Sequence, residues 1–95
     1  MNKADLVRVV CERVGMSVRD VDTVITATFD EITKALVRND DVRIYKFGRF
    51  FNKRYKGKMA RNMINNTCVK ISDFYKVVLK VSGEVKDRVR VLKVD

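Results

Sequence analysis

The sequence contains neither histidine nor proline. Without histidine, the chain lacks the side chain whose ordinary pKa lies closest to neutral pH and which most often serves as a catalytic acid or base. No glycine-rich phosphate-binding loop is present. The acids at Asp20, Asp22, Asp30 and Glu31 fall on predicted helix faces as solvated charges. We therefore predict that the chain is not an enzyme and takes neither a small-molecule substrate nor a cofactor.

Cysteine and long apolar runs are also scarce. The two cysteines, Cys11 and Cys68, do not have the spacing of a metal site and are interpreted as reduced thiols. No apolar run approaches the roughly 20 residues of a membrane-spanning helix. No signal peptide is recognised, because Met1 leads directly into a capped helix start. These features predict a cytoplasmic protein without a metal and without a membrane partner.

Positive charge is abundant and unevenly distributed. The 95 residues carry a formal net charge of +9. Residues 1–40 have six basic and seven acidic side chains, whereas residues 41–80 have eleven and two. A concentrated basic stretch indicates a polyanionic partner, and nucleic acid is the first candidate.

The densest basic stretch runs from Arg49 to Arg61, with six basic residues, no acidic residue and three aromatics. A globular core cannot bury that density of cations, since each unpaired buried charge costs several kcal/mol. Strand-forming residues return near Cys68 and again at residues 77–81, and turn-forming residues separate the two limbs. We predict a long basic β-hairpin that leaves the body of the protein.

Helical periodicity precedes and follows this hairpin. Asn2 is the predicted N-cap of a first helix, which ends at Gly15. Ser17 is the predicted N-cap of a second helix, which ends at Asn39. Ser82 predicts the cap of a final helix. The second helix carries an apolar stripe at helical spacing, formed by Val18, Val21, Ile25, Phe29, Ile32 and Leu36.

Residues 42–45 predict a first strand, and Lys46, Phe47 and Gly48 predict a tight turn in which Gly48 takes a positive φ. Ser72 and Asp73 predict a bulge in the third strand. The fold class is therefore α+β: two N-terminal helices, a three-stranded antiparallel sheet extended into the hairpin arm, and a short C-terminal helix.

We interpret residues 1–95 as one domain. Residues 1–45 form the helical dimerisation base and first strand, 46–81 the sheet and arm, and 82–95 the last helix. Since about a third of so short a chain is an exposed arm, little is left for a core, and we predict that a second copy completes it.

Three features together resemble a known family. They are the opening residues 1–6, the turn Phe47-Gly48-Arg49-Phe50, and the sequence Ala60-Arg61-Asn62 at a fixed distance beyond it. The chain resembles HU and integration host factor, the bacterial DNA-bending proteins, from residue 1 to about residue 90, and is closest to HU.

The resemblance implies an intertwined dimer, either a homodimer or a heterodimer with a sister subunit. Two arms of this dimer wrap the minor groove of double-stranded DNA in the bacterial nucleoid. The expected function is a histone-like architectural one, in which DNA is bent and condensed with little sequence specificity. The residues then expected to meet DNA are Lys3, Lys46, Lys53, Arg54, Lys56, Lys58, Arg61, Asn62, Met63, Ile64, Lys70, Lys76, Lys80 and Lys86.

The resemblance also implies that Phe29, Phe47, Phe50 and Leu79 form a shared dimer core. The sequence departs from the family at the arm tip, where the family carries a proline that wedges between base pairs and this chain has Met63. Methionine either acts as a more flexible apolar wedge or covers the wall of the groove. Tyr55, Phe74 and Tyr75 stand where the family more often has small or charged residues, and we expect them to stiffen the arm.

Two alternative functions remain open from the residues. One is a site-specific DNA-bending protein like integration host factor, for which a footprint at one defined site over excess random DNA is diagnostic. The other is a basic RNA-binding protein, because an exposed basic hairpin also suits structured RNA. Comparing duplex DNA with duplex RNA at equal salt distinguishes the second alternative.

Substitution of the tip residue tests its role as a wedge. Met63→Pro is expected to increase DNA bending, because the rigid ring loses less rotamer entropy on insertion than the flexible methionine does. The measurement is circularisation of short DNA fragments at saturating protein. Equal circularisation by the two forms would show that position 63 is not the wedge.

Overall fold

A computed structural model describes residues 1–62 and 64–94, which form three helices and five strands. The α+β fold class predicted from the sequence is confirmed. The helices are α1 (Lys3–Val14), α2 (Val18–Val37) and α3 (Gly83–Arg90). The strands are β1 (Val42–Ile44), β2 (Gly48–Tyr55), β3 (Met59–Asn62), β4 (Thr67–Lys70) and β5 (Phe74–Val81).

Local capping sets the ends of α1, as the sequence predicts. The side chain of Asn2 accepts a hydrogen bond from the N–H of Asp5 at 2.9 Å, and the Asp5 carboxylate accepts from the N–H of Asn2 at 3.1 Å. This reciprocal box satisfies two N–H groups that the helix leaves without a partner. Gly15 ends the helix in the left-handed conformation, with φ at 71°.

The other helix ends follow the same chemistry. Ser17 Oγ accepts from the N–H of Asp20 at 3.1 Å, and Ser82 Oγ accepts from the N–H of Val85 at 3.4 Å. Asn39 takes a φ of 62° just beyond α2. No helix within residues 1–62 and 64–94 combines the length and the apolar character needed to cross a bilayer.

The chain divides into two compact units, residues 1–35 and 36–95. In the first unit, Lys3 Nζ donates to Thr26 Oγ1 at 2.6 Å and lies 3.5 Å from an Asp22 carboxylate oxygen, which ties the start of α1 to α2. Val7 and Val21 are each 3% exposed. The finer segmentation after residues 45 and 81 stays a prediction.

In the second unit, an antiparallel sheet has the strand order β1-β2-β5, and a separate two-stranded ladder joins β3 to β4. All eight residues of β2 pair with β5, from Gly48 opposite Val81 to Tyr55 opposite Phe74. The β3–β4 ladder runs from Met59 opposite Lys70 to Asn62 opposite Thr67. We call this ladder, with turn residues 64–66, the arm.

Three details of the predicted strands need correction. The first strand ends at Ile44, so Tyr45 belongs to the turn. The positive φ in that turn is at Lys46, with a value of 63°, whereas Gly48 is needed for space. The third predicted strand is two strands, because residues 71–73 lie between β4 and β5. Ser72 and Asp73 therefore interrupt the pairing instead of forming a bulge within one ladder.

Large apolar side chains remain partly exposed in the single chain. Phe29 is 50% exposed, Phe47 43% and Leu79 42%. Among the described residues, Val7 and Val21 are the buried apolar side chains. A chain with so little buried apolar surface cannot offset the conformational entropy lost on folding, so its core is incomplete without a second molecule.

A substitution at Gly48 tests how closely β2 packs against β5. A Cβ at this position would lie 2.7 Å from the carbonyl oxygen of Lys80 and 3.0 Å from Cα of Val81, both of which are backbone atoms. Gly48→Ala is expected to lower the free energy of unfolding by about 1–3 kcal/mol, the usual cost of overpacking. Thermal or urea unfolding followed by circular dichroism measures it. The matched control is Gly83→Ala, since nothing lies within 4 Å of a Cβ there. Equal stability of Gly48→Ala and the parent protein would contradict this packing.

Candidate nucleic-acid interface

Five basic side chains share one face of the three-stranded sheet. Residues directly opposite each other in an antiparallel sheet lie on the same face, and so do residues two apart along a strand. Arg49 pairs with Arg43 on one side and Lys80 on the other, and Lys53, four residues further along β2, pairs with Lys76. We call Arg43, Arg49, Lys53, Lys76 and Lys80 the cationic face.

Aromatic rings hold two parts of this face. The guanidinium carbon of Arg49 lies 4.1 Å from the ring centroid of Phe51, and an Arg49 terminal nitrogen lies 3.7 Å from a carboxylate oxygen of Asp41. In the part of the chain that the structure describes, Nε of Arg49 is buried without a hydrogen-bond partner. Contact with the ring face stabilises the cation and limits its freedom.

At the far end of the sheet, Tyr55 and Phe74 stack with their centroids 5.7 Å apart and their planes 13° apart. Lys76 Nζ lies 5.2 Å from the Tyr55 centroid and 5.6 Å from the Phe74 centroid, and Lys53 Nζ lies 5.5 Å from that of Tyr55. Two like charges directly opposite each other repel. The rings partly offset this repulsion and keep both ammonium groups near the surface of the sheet.

The opposite face of the sheet is largely apolar. Val42, Phe50 and Leu79 lie side by side across its three strands, and Phe50 stacks on Phe47 with the centroids 6.5 Å apart. Asn52, on the same face, donates to the carbonyl oxygen of Leu36 at 2.7 Å, which satisfies an acceptor at the end of α2. The apolar face thus contacts the end of α2, and the cationic face lies on the opposite side of the sheet.

The arm carries further polar and cationic groups. Met59, Arg61, Cys68 and Lys70 share one face of its ladder, because Met59 pairs with Lys70 and Arg61 with Cys68. Arg61 is exposed and donates a hydrogen bond to the side chain of Asn66, which takes a φ of 58° in the tip turn. The structure thus places Arg61 and Ile64, which is 96% exposed, near the tip as the sequence predicts.

The remaining predicted residues lie in several places. Asn62 is the last residue of β3, and Met63 lies outside the described residues. Exposed residues elsewhere are Lys3 on α1, Lys46 in the β1–β2 turn, Lys56 and Lys58 between the two ladders, and Lys86 on α3. The structure therefore brings Lys53, Lys76 and Lys80 together on the cationic face and Arg61 with Lys70 on one arm face. The role of each in binding stays a prediction.

Arg54 is set apart from the other cations of β2. It pairs with Tyr75 on the largely apolar face of the sheet, and its terminal nitrogen donates to an Asp73 carboxylate oxygen at 2.7 Å. The other Asp73 oxygen accepts from the N–H of Gly57, also at 2.7 Å. The Gly57 N–H, and then the Arg54 guanidinium, hold the pKa of Asp73 below its ordinary value of 3.8.

Two members of the cationic face were not singled out from the sequence. Arg43 lies on the first strand, away from the dense basic stretch, and Arg49 was counted within that stretch without a predicted contact. The available signal was alternation, because Arg49 and Lys53 are four apart in a strand and therefore share a face. Arg43 joins them only through the register across the β1–β2 turn.

Within residues 1–62 and 64–94, no group of three or more histidine, cysteine, aspartate or glutamate side chains is placed to hold a metal ion. A sheet with one cationic face that continues into a two-stranded basic arm is typical of proteins that bind nucleic acid with β-strands. The fold and this surface thus define the class as a β-ribbon nucleic-acid-binding protein.

The family profile described as "Bacterial DNA-binding protein" matches residues 1–90, and the chain belongs to this family. It is 30% identical over 90 residues to DNA-binding protein HU-1 of Halalkalibacterium halodurans, covering 95% of this chain and all of that protein. It is 37% identical over 62 residues to DNA-binding protein HU of Geobacillus stearothermophilus, covering 65% of this chain and 69% of the relative.

Solved structures agree in fold. The chain of an Anabaena HU–DNA cocrystal structure superposes with a TM-score of 0.88 at 26% identity, over 97% of this chain and all of that one. HU from Thermotoga maritima superposes with a TM-score of 0.67 at 22% identity, over 94% and 98% of the two chains. The resemblance to HU inferred from the sequence is confirmed.

The two bonds to Asp73 predict how its carboxyl titrates. Its pKa, followed by NMR of the side-chain carbon, is expected below the ordinary value. Arg54→Gln should raise it only part of the way, because the Gly57 N–H is the larger cause. A carboxyl whose pKa is lowered by folding stabilises the folded state above its unfolded-state pKa, and this contribution is lost as the pH falls through the folded-state pKa.

Lys34→Gln is the control for that titration, since Lys34 lies 3.3 Å from a carboxylate oxygen of Glu31 on α2 and should leave Asp73 unchanged. An Asp73 carboxyl that titrates at its ordinary pKa in the parent protein would show that the two bonds do not persist in solution.

Proposed function

We propose that this chain is a histone-like architectural protein that binds double-stranded DNA as a homodimer, bends it and condenses it with little sequence specificity. The observation that supports this function most directly is the cationic face, which lies on one side of a sheet that leads into the arm. Membership of the bacterial DNA-binding protein family and similarity to HU relatives support the proposal.

The chemistry of the surface favours backbone contacts. Lysine and arginine neutralise phosphates and release the counterions condensed on the duplex, a contribution that does not depend on base sequence. Arg61 and Asn62 are the last two residues of β3, and we propose that they enter the minor groove. The base edges there distinguish little beyond A·T from G·C, so selectivity follows from the deformability of DNA.

The apolar face of the sheet supports the homodimer. Val42, Phe50 and Leu79 lie together on it, and Phe29 and Phe47 are also partly exposed in the single chain. A second copy that covers these side chains removes apolar area from water at about 25 cal/mol per Å². Two copies also supply two arms, so one duplex can be held on both flanks.

The proposed site of action is the bacterial nucleoid in the cytoplasm, where duplex DNA is the abundant polyanion. The proposed role is not enzymatic, because it requires only binding and deformation of DNA. Binding energy from many phosphate contacts offsets the cost of bending, which for a site of 20–30 base pairs is about 1–6 kcal/mol.

A double substitution on the cationic face tests the proposal. Arg43→Ala with Lys80→Ala removes two exposed cations that flank Arg49 across the sheet. Binding to random-sequence duplex DNA should weaken, and the slope of log affinity against log salt should become shallower by about one for each phosphate that is no longer neutralised. Fluorescence anisotropy at several salt concentrations measures both quantities.

The matched control is Arg8→Ala with Lys34→Ala, which removes the same charge from two helix positions paired with Asp5 and Glu31. Its salt slope should stay at the parent value. An unchanged slope in the Arg43/Lys80 variant would remove the cationic face from the interface.

Duplex RNA and a fixed-sequence DNA panel complete the experiment. Equal or tighter binding to duplex RNA at the same salt would favour an RNA-binding protein. Binding to one sequence far above random DNA would favour a site-specific bender. A monomeric state at the binding concentration, measured by sedimentation, would contradict the two-armed arrangement.

A further inference from the structure

The connection between the sheet and the arm has a defined structure. Pairing of β2 with β5 ends at Tyr55 and Phe74, and pairing of β3 with β4 begins at Met59 and Lys70. Two three-residue segments lie between the two ladders: residues 56–58 connect β2 to β3, and residues 71–73 connect β4 to β5. We call these six residues the arm joint. A ribbon that lacks ladder pairing over this length would bend freely unless other contacts held it.

Asp73 supplies such contacts from one side of the joint. One carboxylate oxygen accepts the N–H of Gly57 within the joint, and the other accepts from the guanidinium of Arg54 in β2, each at 2.7 Å. Both are charge-assisted hydrogen bonds, which are stronger than bonds between neutral groups. A single side chain therefore links the start of β5 both to the end of the sheet and to the joint.

Close backbone packing provides a second contact. A Cβ at Gly57 would lie 1.8 Å from the carbonyl oxygen of Ile71 and 2.6 Å from the carbonyl carbon of Ser72. The N–H of Ile71 donates to the carbonyl oxygen of Lys58 at 2.9 Å. The backbones of the two joint segments thus approach each other at a distance that only glycine permits at position 57. This approach brings the Gly57 N–H to Asp73.

Side-chain contacts also hold β2 and β5 together where the sheet meets the joint. Tyr55 and Phe74, the last pair of the β2–β5 ladder, stack on each other on the face opposite Arg54. The stack holds the two strands together on one face, and the Arg54–Asp73 bond holds them on the other. The arm therefore begins from an end of the sheet that is bound on both faces.

We propose that Asp73 is a positioning residue that sets the direction of the arm by binding Gly57 and Arg54 across the joint. Arg54 in turn stabilises the joint, because its guanidinium binds the Asp73 carboxylate. This assignment differs from the sequence-based expectation that Arg54 meets DNA. The effect of the joint on DNA bending rests on the proposed function, whereas the order of the arm in the free protein does not.

The two roles of Arg54 make opposite predictions. If Arg54 contacts a phosphate and Asp73 competes for it, Asp73→Ala removes a negative charge and tightens DNA binding. If both residues hold the joint, Arg54→Ala and Asp73→Ala both reduce DNA bending, Arg54→Ala the less because the Gly57 bond remains, and the double variant reduces bending no further than Asp73→Ala alone. Residues that act as one unit show such non-additive effects.

The first measurement uses the free protein and its backbone ¹⁵N relaxation. In the parent, amides of β3 and β4 should have order parameters close to those of β2 and β5, at about 0.85. In Asp73→Ala those of β3 and β4 should fall below about 0.6, the range of flexible backbone. Asp73→Asn keeps an acceptor for Gly57 but loses the ion pair, so it should give intermediate values.

Asp87→Ala is the matched control, because Asp87 lies 3.8 Å from Arg90 in an exposed pair on α3. It should leave the arm amides unchanged. Unchanged order parameters in the arm of Asp73→Ala, Asp73→Asn and Arg54→Ala would overturn the proposal. The shifts of the β2 and β5 amides report whether each variant is folded. If Asp73→Ala does not fold, Asp73→Asn and Arg54→Ala decide the question.

The second measurement is the bend of a short duplex, followed by energy transfer between dyes at its ends, together with the salt slope of binding. Reduced energy transfer in both Arg54→Ala and Asp73→Ala, with the parent salt slope, supports the joint. A slope shallower by about one in Arg54→Ala, with tighter binding in Asp73→Ala, overturns it. If the parent protein binds no duplex, the proposed function fails, and the relaxation result still decides the joint.

Discussion

Repulsion between like charges on one face of the sheet is the constraint on which the rest of the structure depends. Arg43, Arg49 and Lys80 lie side by side across three strands, and Lys53 and Lys76 face each other further along. Opposed like charges destabilise a sheet. Ring contacts with Phe51, Tyr55 and Phe74 reduce this cost without neutralising the charge. In the proposed function a polyanion supplies the missing negative charge, so the charges that weaken the free sheet are the ones proposed to bind the partner.

The other face of the same sheet has the complementary requirement. Val42, Phe50 and Leu79 are apolar neighbours, and the single chain leaves Leu79 partly exposed. We therefore propose that one face of the sheet packs against a second copy of the chain and that the other binds nucleic acid. Because side chains alternate along a strand, the residues of β2 contribute to both requirements at once. In the proposed function, the geometry of this single strand links dimerisation to DNA binding.

The arm extends the basic surface beyond the sheet, and the proposed role of the joint is to set the direction of the arm. A basic ribbon free to swing would lose conformational entropy on binding DNA, whereas a ribbon with a fixed direction loses less. Asp73 is one of two acidic residues in the segment 41–80, and it lies where the two ladders separate. Its position gives an acid in an otherwise basic region a structural role. Asp41, the other acid, lies 3.7 Å from Arg49 and likewise accompanies an arginine at the sheet.

Much of the fold was predictable from the sequence because it depends on local chemistry. Asn2, Gly15, Ser17, Asn39 and Ser82 mark helix ends through side-chain or backbone groups only a few residues away. The charge density from Arg49 to Arg61 excluded burial, and with the strand pattern it indicated an exposed basic arm. The motif around Gly48, with its distance to Ala60-Arg61-Asn62, identified the family. The predicted positive φ at Gly48 was wrong because the turn takes that conformation at Lys46, while Gly48 gives space to the backbone of Lys80.

What the sequence determined by itself was therefore the set of local elements, their order and the sign of the charge on the arm. Tertiary structure alone decided which cations act together, because Arg43, Arg49 and Lys80 meet only through the register of three strands. It also decided that Arg54 and Asp73, 19 residues apart, form one contact. The physical reason is that capping and periodicity act over a few residues, whereas strand register is set by pairing between distant segments, and a shift of one residue would exchange the two faces of the sheet.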